Sequence, residues 1–514
     1  MRSFSSACRV TVLIFAALAS AVALPRHVAA KGLVAKDSAA KDGSRSHGSA
    51  PFAQSQRTLP VTTDSVPAKS LFEQAFASLE DLRTEEALKG FRAATTKDPN
   101  FAQALSLVAC LTTNPAEEMT SLSRAQALQG RVTPGEKLLI QWLSGVRDSR
   151  YSQGIAAMND LLSMYPEDRR LAFLAGRWLI QQQRYEHAQM LLESAVAQDP
   201  DYPPVLNELG YAYAFSGQFK KAISTMQRYV QLEPTQPSPE DSYAEVLRLS
   251  GDFKGALNHY RQALKLDPQF VNSQTGLADT YAVMGDEKRA REEYSKAILA
   301  ADSESDRLEY ELRSAMTFVR EHRYVEADQA FRAAAAQAHD DGFGRLEAEA
   351  YRTMAMYGPR LESVFNNLEQ AALALHRRDI ARSDVDEEQA RILRTLAERH
   401  VEVGNLGLAK TAVQQLETMA STNRSHAVQL AYHAAAGAVL MHEGQYSQAI
   451  AHLQADRDNA MSLERLWQAY EKTGAHPEAQ AVSSKGVAFN QPTIEQALLG
   501  STSRASVGQV ESQP

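Results

Sequence analysis

PPVLNELGYAYAFSGQFKKAISTMQRYVQLEPTQ, residues 203–236, is the stretch from which the rest of the 514-residue chain can be read. Apolar or small residues fall at Leu206, Leu209, Gly210 and Tyr213 before Ser216-Gly217, and at Ala222 and Met226 after it. Spacings of three and four place each set on one face of a helix. Gly217 stands where a helix-to-helix turn needs positive φ. Pro234 lacks the amide proton that a continuing helix requires. The stretch is therefore two helices that turn back on each other and stop.

The same unit recurs at a fixed period. Gly154, Ala188, Ala222, Ala256 and Ala290 follow one another every 34 residues. Twelve residues before four of these stand Gly176, Gly210, Ala244 and Ala278; twelve residues after four of them stand Pro166, Pro200, Pro234 and Pro268. A small residue on each helix lets the two backbones approach, while larger neighbours fill the space around the crossing. One such hairpin cannot bury its apolar face, so stability must come from stacking on its neighbours.

The spacing Leu206, Leu209-Gly210, Tyr213, Ala222, Met226, Pro234, and the related Tyr243-Ala244, Leu247, Ala256, Tyr260, Ala263, Pro268, resembles the tetratricopeptide repeat. Residues 135–304 hold five regular units. Ala87, Phe91, Ala94 and Pro99 resemble the second half of another, as do Ala327, Phe331 and Ala334. Gly404 with Ala409, Gly444 with Ala449, and Gly474 with Ala479 resemble three more at irregular spacing. The expected fold is all-α: a right-handed solenoid of nine to eleven stacked antiparallel helix pairs, in one array or in two with a break near 302–307 or 342–386. The expected boundaries are a signal peptide at 1–23, a flexible linker at 24–67, partly degenerate hairpins at 68–134, the regular repeats at 135–304, divergent hairpins at 305–386, C-terminal hairpins at 387–490 and a flexible tail at 491–514.

Composition sets the outer limits. Hydrophobic residues make up 44% of the chain and charged residues 23%, the balance of a chain that folds. The net charge is −8, and loss of the first 23 residues with Arg2 and Arg9 would leave −10. That offers no concentration of Lys and Arg for nucleic-acid phosphates; the short run His376-Arg377-Arg378 reads as a solvated helix face. Arg2 and Arg9 before the apolar run from Val10 to Leu18, then Ala21-Val22-Ala23, have the form of a cleavable export signal, and the run is short for a membrane span. Export to a periplasmic or extracellular compartment is expected. Cleavage would leave Cys110 as the one thiol, with no internal disulfide. Residues 24–67 are rich in Ala, Lys, Ser, Gly and Pro, and Leu59-Pro60-Val61-Thr62-Thr63 belongs to this linker.

The resemblance implies that the first helix of each repeat lines a concave groove and presents exposed side chains to a bound peptide. Carried onto this sequence, the groove positions are Arg170, Phe173, Arg177 and Gln181; Asn207, Tyr211 and Phe215; Asp241, Glu245 and Arg248; and Asn272, Thr275 and Asp279. Some members clamp a chaperone's terminal carboxylate with Lys and Asn. Here Leu139, Leu143, Ser238 and Ser242 occupy those positions, so that clamp is absent. His426, His433, His442 and His452 are crowded, but His426 and His433 are not at the i, i+3 or i+4 spacing of helix-borne metal ligands, and they read as surface or packing residues. No phosphate loop, nucleophile elbow, zinc-peptidase helix or paired-cysteine motif is present. The sequon Asn423-Arg424-Ser425 matters only in a host that glycosylates exported proteins. The expected function is a non-enzymatic scaffold that binds a partner polypeptide, with no catalytic residues, metal or cofactor. The alternatives are a carbohydrate or envelope-polymer binding module, with Trp178, Tyr211 and Phe215 as a flat platform, and an enzyme whose site is assembled from distant residues.

Overall fold

The computed structural model describes residues 57–377 and 380–499. Among these residues the chain forms 25 α-helices and no strand. The first 24 pair as twelve antiparallel hairpins. The early ones are α1 (Val66–Glu80) with α2 (Thr84–Lys97) and α3 (Ala102–Leu111) with α4 (Pro115–Ala127). The regular block holds α5 (Pro134–Arg147), α6 (Tyr151–Met164), α7 (Arg169–Gln181), α8 (Tyr185–Gln198), α9 (Pro203–Phe215), α10 (Phe219–Leu232), α11 (Pro237–Ser250), α12 (Phe253–Leu266), α13 (Val271–Met284) and α14 (Glu287–Leu299). Then follow α15 (Glu304–Arg320), α16 (Tyr324–Asp340), α17 (Gly344–Tyr357), α18 (Leu361–Ala374), α19 (Arg382–Glu402), α20 (Leu406–Thr422), α21 (His426–His442), α22 (Tyr446–Leu453), α23 (Ala460–Thr473), α24 (His476–Val487) and α25 (Ile494–Leu499).

Twelve hairpins exceed the nine to eleven expected. Segments 102–134 and 342–386, which match the repeat poorly, each hold a hairpin: α3–α4 and α17–α18. The 34-residue period fails after 304 because several helices lengthen; α15, α16, α20 and α21 each have 17 residues, against 13 or 14 in the regular block. Three or four extra residues add about one turn and return the same face to the neighbour.

The small residues meet as the pattern predicts. Ala188, Ala222, Ala256 and Ala290 are wholly buried, as are Ala244 and Ala278 on the facing helices. A Cβ on Gly176 would lie 2.4 Å from Leu192, and one on Gly210 would lie 2.6 Å from Met226. Positive φ recurs at the hairpin turns in the same period: Ser149 (60°), Gln183 (54°), Gly217 (79°), Gly251 (91°) and Gly285 (81°). Glycine takes that conformation freely; Ser149 and Gln183 are held in it by the hairpins on either side.

The two helices of a hairpin differ in burial. α9 buries eleven of its 13 residues and α13 eleven of 14, whereas α10 buries three of 14. The odd-numbered helices are covered on a second side because the array closes on itself. Arg147, at the end of α5, donates to Glu118 of α4 and, at 3.0 Å, to Asp384 of α19. Ser149 donates to Asp386 at 2.8 Å. Gln183 meets His426 of α21 at 3.1 Å. The third hairpin thus touches the tenth and the fourth the eleventh, a return after seven hairpins. α1 packs inward: Phe72 and Phe76 share a core with Phe173 and Leu206, Arg170 donates to Glu73 at 2.7 Å, and the Tyr202 hydroxyl donates to Glu80.

Two boundary expectations are corrected. The end of the 24–67 linker is docked: the Leu59 amide donates to Asp168 at 2.7 Å and the Thr62 amide to Glu136 at 3.0 Å, tying residues 57–65 across the starts of α5 and α7. In the tail expected at 491–514, the described residues 491–499 are docked, with Ile494 and Ala497 buried in the core of α15, α16 and α17. The expected signal peptide lies outside the described residues.

Two outcomes follow from this packing. Ala222→Leu should lower stability by about 3 kcal/mol through overpacking at the crossing, while Ser224→Leu on the exposed face should change it by no more than about 0.5 kcal/mol; urea titration followed by far-UV circular dichroism reads both. Arg147→Ala leaves Glu118 and Asp384 buried without their cation and should cost about 3–5 kcal/mol, with Arg147→Lys recovering part of the loss in the same titration.

Candidate functional site

The inner wall is built from the odd-numbered helices, and a ladder of side chains one repeat apart runs along it. Arg177, Tyr211, Glu245, Asp279 and Arg313 occupy equivalent positions on α7, α9, α11, α13 and α15 at intervals of 34. The Tyr211 hydroxyl donates to Glu245 at 3.0 Å, and Arg313 meets Asp279 at 3.5 Å. Within the same layer Arg248 donates to Glu245 at 2.8 Å, Ser273 to Asp241 at 2.7 Å, and the Tyr294 hydroxyl to Asp279. Arg177 pairs with Glu208 at 3.5 Å. Low dielectric strengthens each of these bonds and makes an unpartnered member costly. Burial, only partly offset by Arg177, pushes the Glu208 carboxyl up to about 7.

This ladder corrects the expected exposure of the groove positions. Phe173, Arg177, Asn207, Tyr211, Asp241, Glu245, Arg248, Asn272, Thr275 and Asp279 are buried; Arg170, Gln181 and Phe215 are half-buried. In this chain the face that carries these positions meets other parts of the same chain. The flat aromatic platform is not formed. Trp178 is buried edge-on against Trp142, with ring centroids 6.2 Å apart, and Tyr211 and Phe215 stack inside the wall at 6.0 Å.

One polypeptide segment already lies on the inner wall, and it is the chain's own. After α24 the backbone runs past the end of α11, where Arg248 donates to the Asn490 carbonyl at 2.6 Å and the Asn490 side chain donates to the Leu249 carbonyl at 3.3 Å. It continues to α15, where Arg320 donates to the Thr493 carbonyl at 3.3 Å and to the Gln496 side chain. Thr493 accepts from the Gln496 amide at 3.2 Å, an N-cap for the short α25. These contacts were missed from the sequence, although a signal was there: Thr493 and Gln496 have capping-box spacing ahead of the apolar Ala497-Leu498-Leu499. Arg320 had no signal, since its role depends on a chain segment 173 residues away.

Cavities flank this segment on both sides. One of about 190 Å³ is lined by Gln183, Arg352, Arg394, Asp456, Thr493 and Glu495, among others. The other, of about 340 Å³, has an aromatic wall of Tyr185, Phe215, Phe219 and Phe489. In the first, the acids and arginines pair with each other: Arg352 donates to Glu388, and Arg394 donates to Glu398 at 3.1 Å and lies 3.1 Å from Asp456. Among the described residues no group of three or more His, Cys, Asp or Glu side chains is placed to hold a metal ion. His426 and His433 turn to different neighbours: His426 to Gln183, and His433 to His452 of α22, with Nδ1 atoms 3.1 Å apart. Cys110 is buried, and that burial pushes its thiol up to about 12, far from a reactive thiolate.

The repeated, closed stack of helix pairs defines a helical solenoid. The tetratricopeptide-repeat family models match residues 145–203, 179–240 and 247–309, so this part of the chain is built of tetratricopeptide repeats. Among solved structures it is similar to the APC/C hetero-tetramer Cut9–Hcn1, at 15% identity and a TM-score of 0.42, covering 80% of this chain and 78% of that one. A tetratricopeptide repeat protein from Parabacteroides merdae is similar at 13% identity and a TM-score of 0.34, covering 59% of this chain and 98% of that one. MamA is similar at 18% identity and a TM-score of 0.27, over 33% of this chain and 95% of that one. No curated protein matches the sequence.

The histidine pair yields a pH dependence. Burial, reinforced by the neighbouring His452, holds His433 down at about 4, against an ordinary 6.5. A folded-state pKa below the unfolded one gives stability that is present above pH 6.5 and is lost as the pH falls toward 4. The melting temperature should therefore fall across that window, and fall less in His433→Asn, which keeps a polar side chain but does not titrate; thermal melts at half-unit pH steps measure the difference.

Proposed function

We propose that this protein is a non-enzymatic scaffold that holds a partner polypeptide against the inner wall of its solenoid. One observation carries the reading: that wall already binds a peptide segment, using arginine donors for backbone carbonyls and an apolar cleft for Ile494 and Ala497. This is peptide recognition in chemical form, since hydrogen bonds to main-chain carbonyls give affinity and side-chain clefts give selectivity. The perturbed carboxyl groups suit structure more than catalysis. Glu118, Glu208 and Asp456 each sit against an arginine that also holds helices together.

The reading includes export to a periplasmic or extracellular compartment, supported by Arg2, Arg9, the apolar run from Val10 to Leu18 and Ala21-Val22-Ala23. Among the described residues no helix is long and apolar enough to cross a membrane. The partner is then a protein of the same compartment.

A photo-crosslinking amino acid at position 316, which lines the smaller cavity, tests the reading in cells of the source organism. Irradiation should give adducts of higher mass that are sensitive to protease and contain a second polypeptide. Adducts carrying only saccharide, or none in a well-expressed and folded chain, would count against it.

A further inference from the structure

Resting on that reading, we infer that residues Phe489–Leu499 are a displaceable, built-in occupant of the partner site, so that the partner is a segment of the same chemistry: an extended run ending Pro-Thr-Ile that leads into a short helix with apolar residues at its first and fourth positions.

The grip on the segment is of the kind that a second peptide could take over. Two of its contacts go to main-chain carbonyls, from Arg248 to Asn490 and from Arg320 to Thr493. Carbonyls belong to any polypeptide, so these contacts do not depend on sequence. Selectivity comes from Ile494 and Ala497, which enter the apolar core of α15, α16 and α17, and from Phe489, which packs on Ala460 and Leu463 of α23. Ile494 and Ala497 are the first and fourth residues of α25, one face of a single turn.

The segment has little secondary structure of its own. α25 has six residues, too few to hold a helix without tertiary support. It follows α24, a helix with no buried residue among those whose side chains are described except Ala479, so its release need not disturb the stacked hairpins that precede it. Seven of its eleven residues are buried, so its seating rests on tertiary contacts that a competing segment of the same chemistry could replace.

The groove is larger than its occupant. The cavity on the Ile494 side and the aromatic-walled cavity on the Phe489 side lie along the same run of backbone. In the former, Arg394 Nη2 and Asp456 Oδ1, which belong to the wall, have no hydrogen-bond partner among the described residues. A longer segment with polar side chains flanking the Pro-Thr-Ile run would fill both spaces and satisfy these atoms, which gives an incoming partner contacts that the internal segment does not make. Binding in trans must displace the segment, and the apparent affinity falls by the fraction of time it is seated.

Full-length chains and a fluorescein-labelled peptide, FNQPTIEQALL, copied from residues 489–499, test this by fluorescence anisotropy. Ile494→Asp and Ala497→Asp each unseat the internal segment without altering the wall. Both variants should bind the peptide at least tenfold more tightly than the wild-type chain, and a peptide carrying the Ile-to-Asp change should not bind. Equal affinity in wild type and variants would overturn the built-in occupant while leaving a peptide-binding wall in place. No binding by variants that melt cooperatively would overturn both this inference and the inner-wall reading. Loss of cooperative melting in both variants would show the segment to be part of the fold and would overturn displacement. A wild-type dimer that Ile494→Asp makes monomeric would make the occupant a second copy's segment and overturn the intramolecular arrangement.

Discussion

Close approach of two helices at a pair of small residues is the constraint on which the molecule depends. Where Gly210 faces Met226, or Ala244 and Ala256 are wholly buried together, the two backbones come near enough for large neighbours to interlock around the contact. This fixes the hairpin but leaves its remaining apolar surface open, and only another hairpin can cover it. The array is thus a consequence of incompleteness repeated twelve times. Its cost appears at the turns, where Ser149 and Gln183 hold a backbone conformation that the next three repeats give to glycine.

Closure after seven hairpins changes what the inner face is for. In an open solenoid, polar side chains of the first helices would face solvent or a ligand. Here the same positions hydrogen bond from one repeat to the next, and Arg147 ties α4, α5 and α19 together. A buried arginine between two carboxylates is weak evidence for stability as such, since desolvation offsets much of the attraction. What it provides is a specific bridge, joining the third hairpin to the second and the tenth.

The local rules of the fold were legible in the sequence because they are local. The 34-residue period, the small pairs and the terminating prolines, such as Pro234, specify a hairpin and its stacking neighbour within about 70 residues. The irregular hairpins after 304 were harder to read because α15, α16, α20 and α21 each gain about one turn, which preserves the face but breaks the count. The candidate site was legible only in part. Tyr211, Glu245, Arg248 and Asp279 lie on the first helices of their repeats, as expected, but are buried where exposure was expected. Whether an inner wall meets solvent or another turn of the same chain depends on contacts such as Arg147 with Asp384, 237 residues apart, and no periodicity in one sequence reports them. For the same reason Asn490–Leu499, whose composition resembles the linker-like end of a chain, gave little sign that Arg248 and Arg320 hold it.

The account joins a self-covered array to a displaceable segment at 489–499, and amide hydrogen exchange of the full chain followed by mass spectrometry tests that combination most directly. It predicts slow exchange in α9, α11 and α13, faster exchange in their outer partners α10, α12 and α14, and exchange of residues 494–499 through an opening that leaves α15 protected. Equal protection of inner and outer helices, or exchange of 494–499 only together with α15, would contradict it.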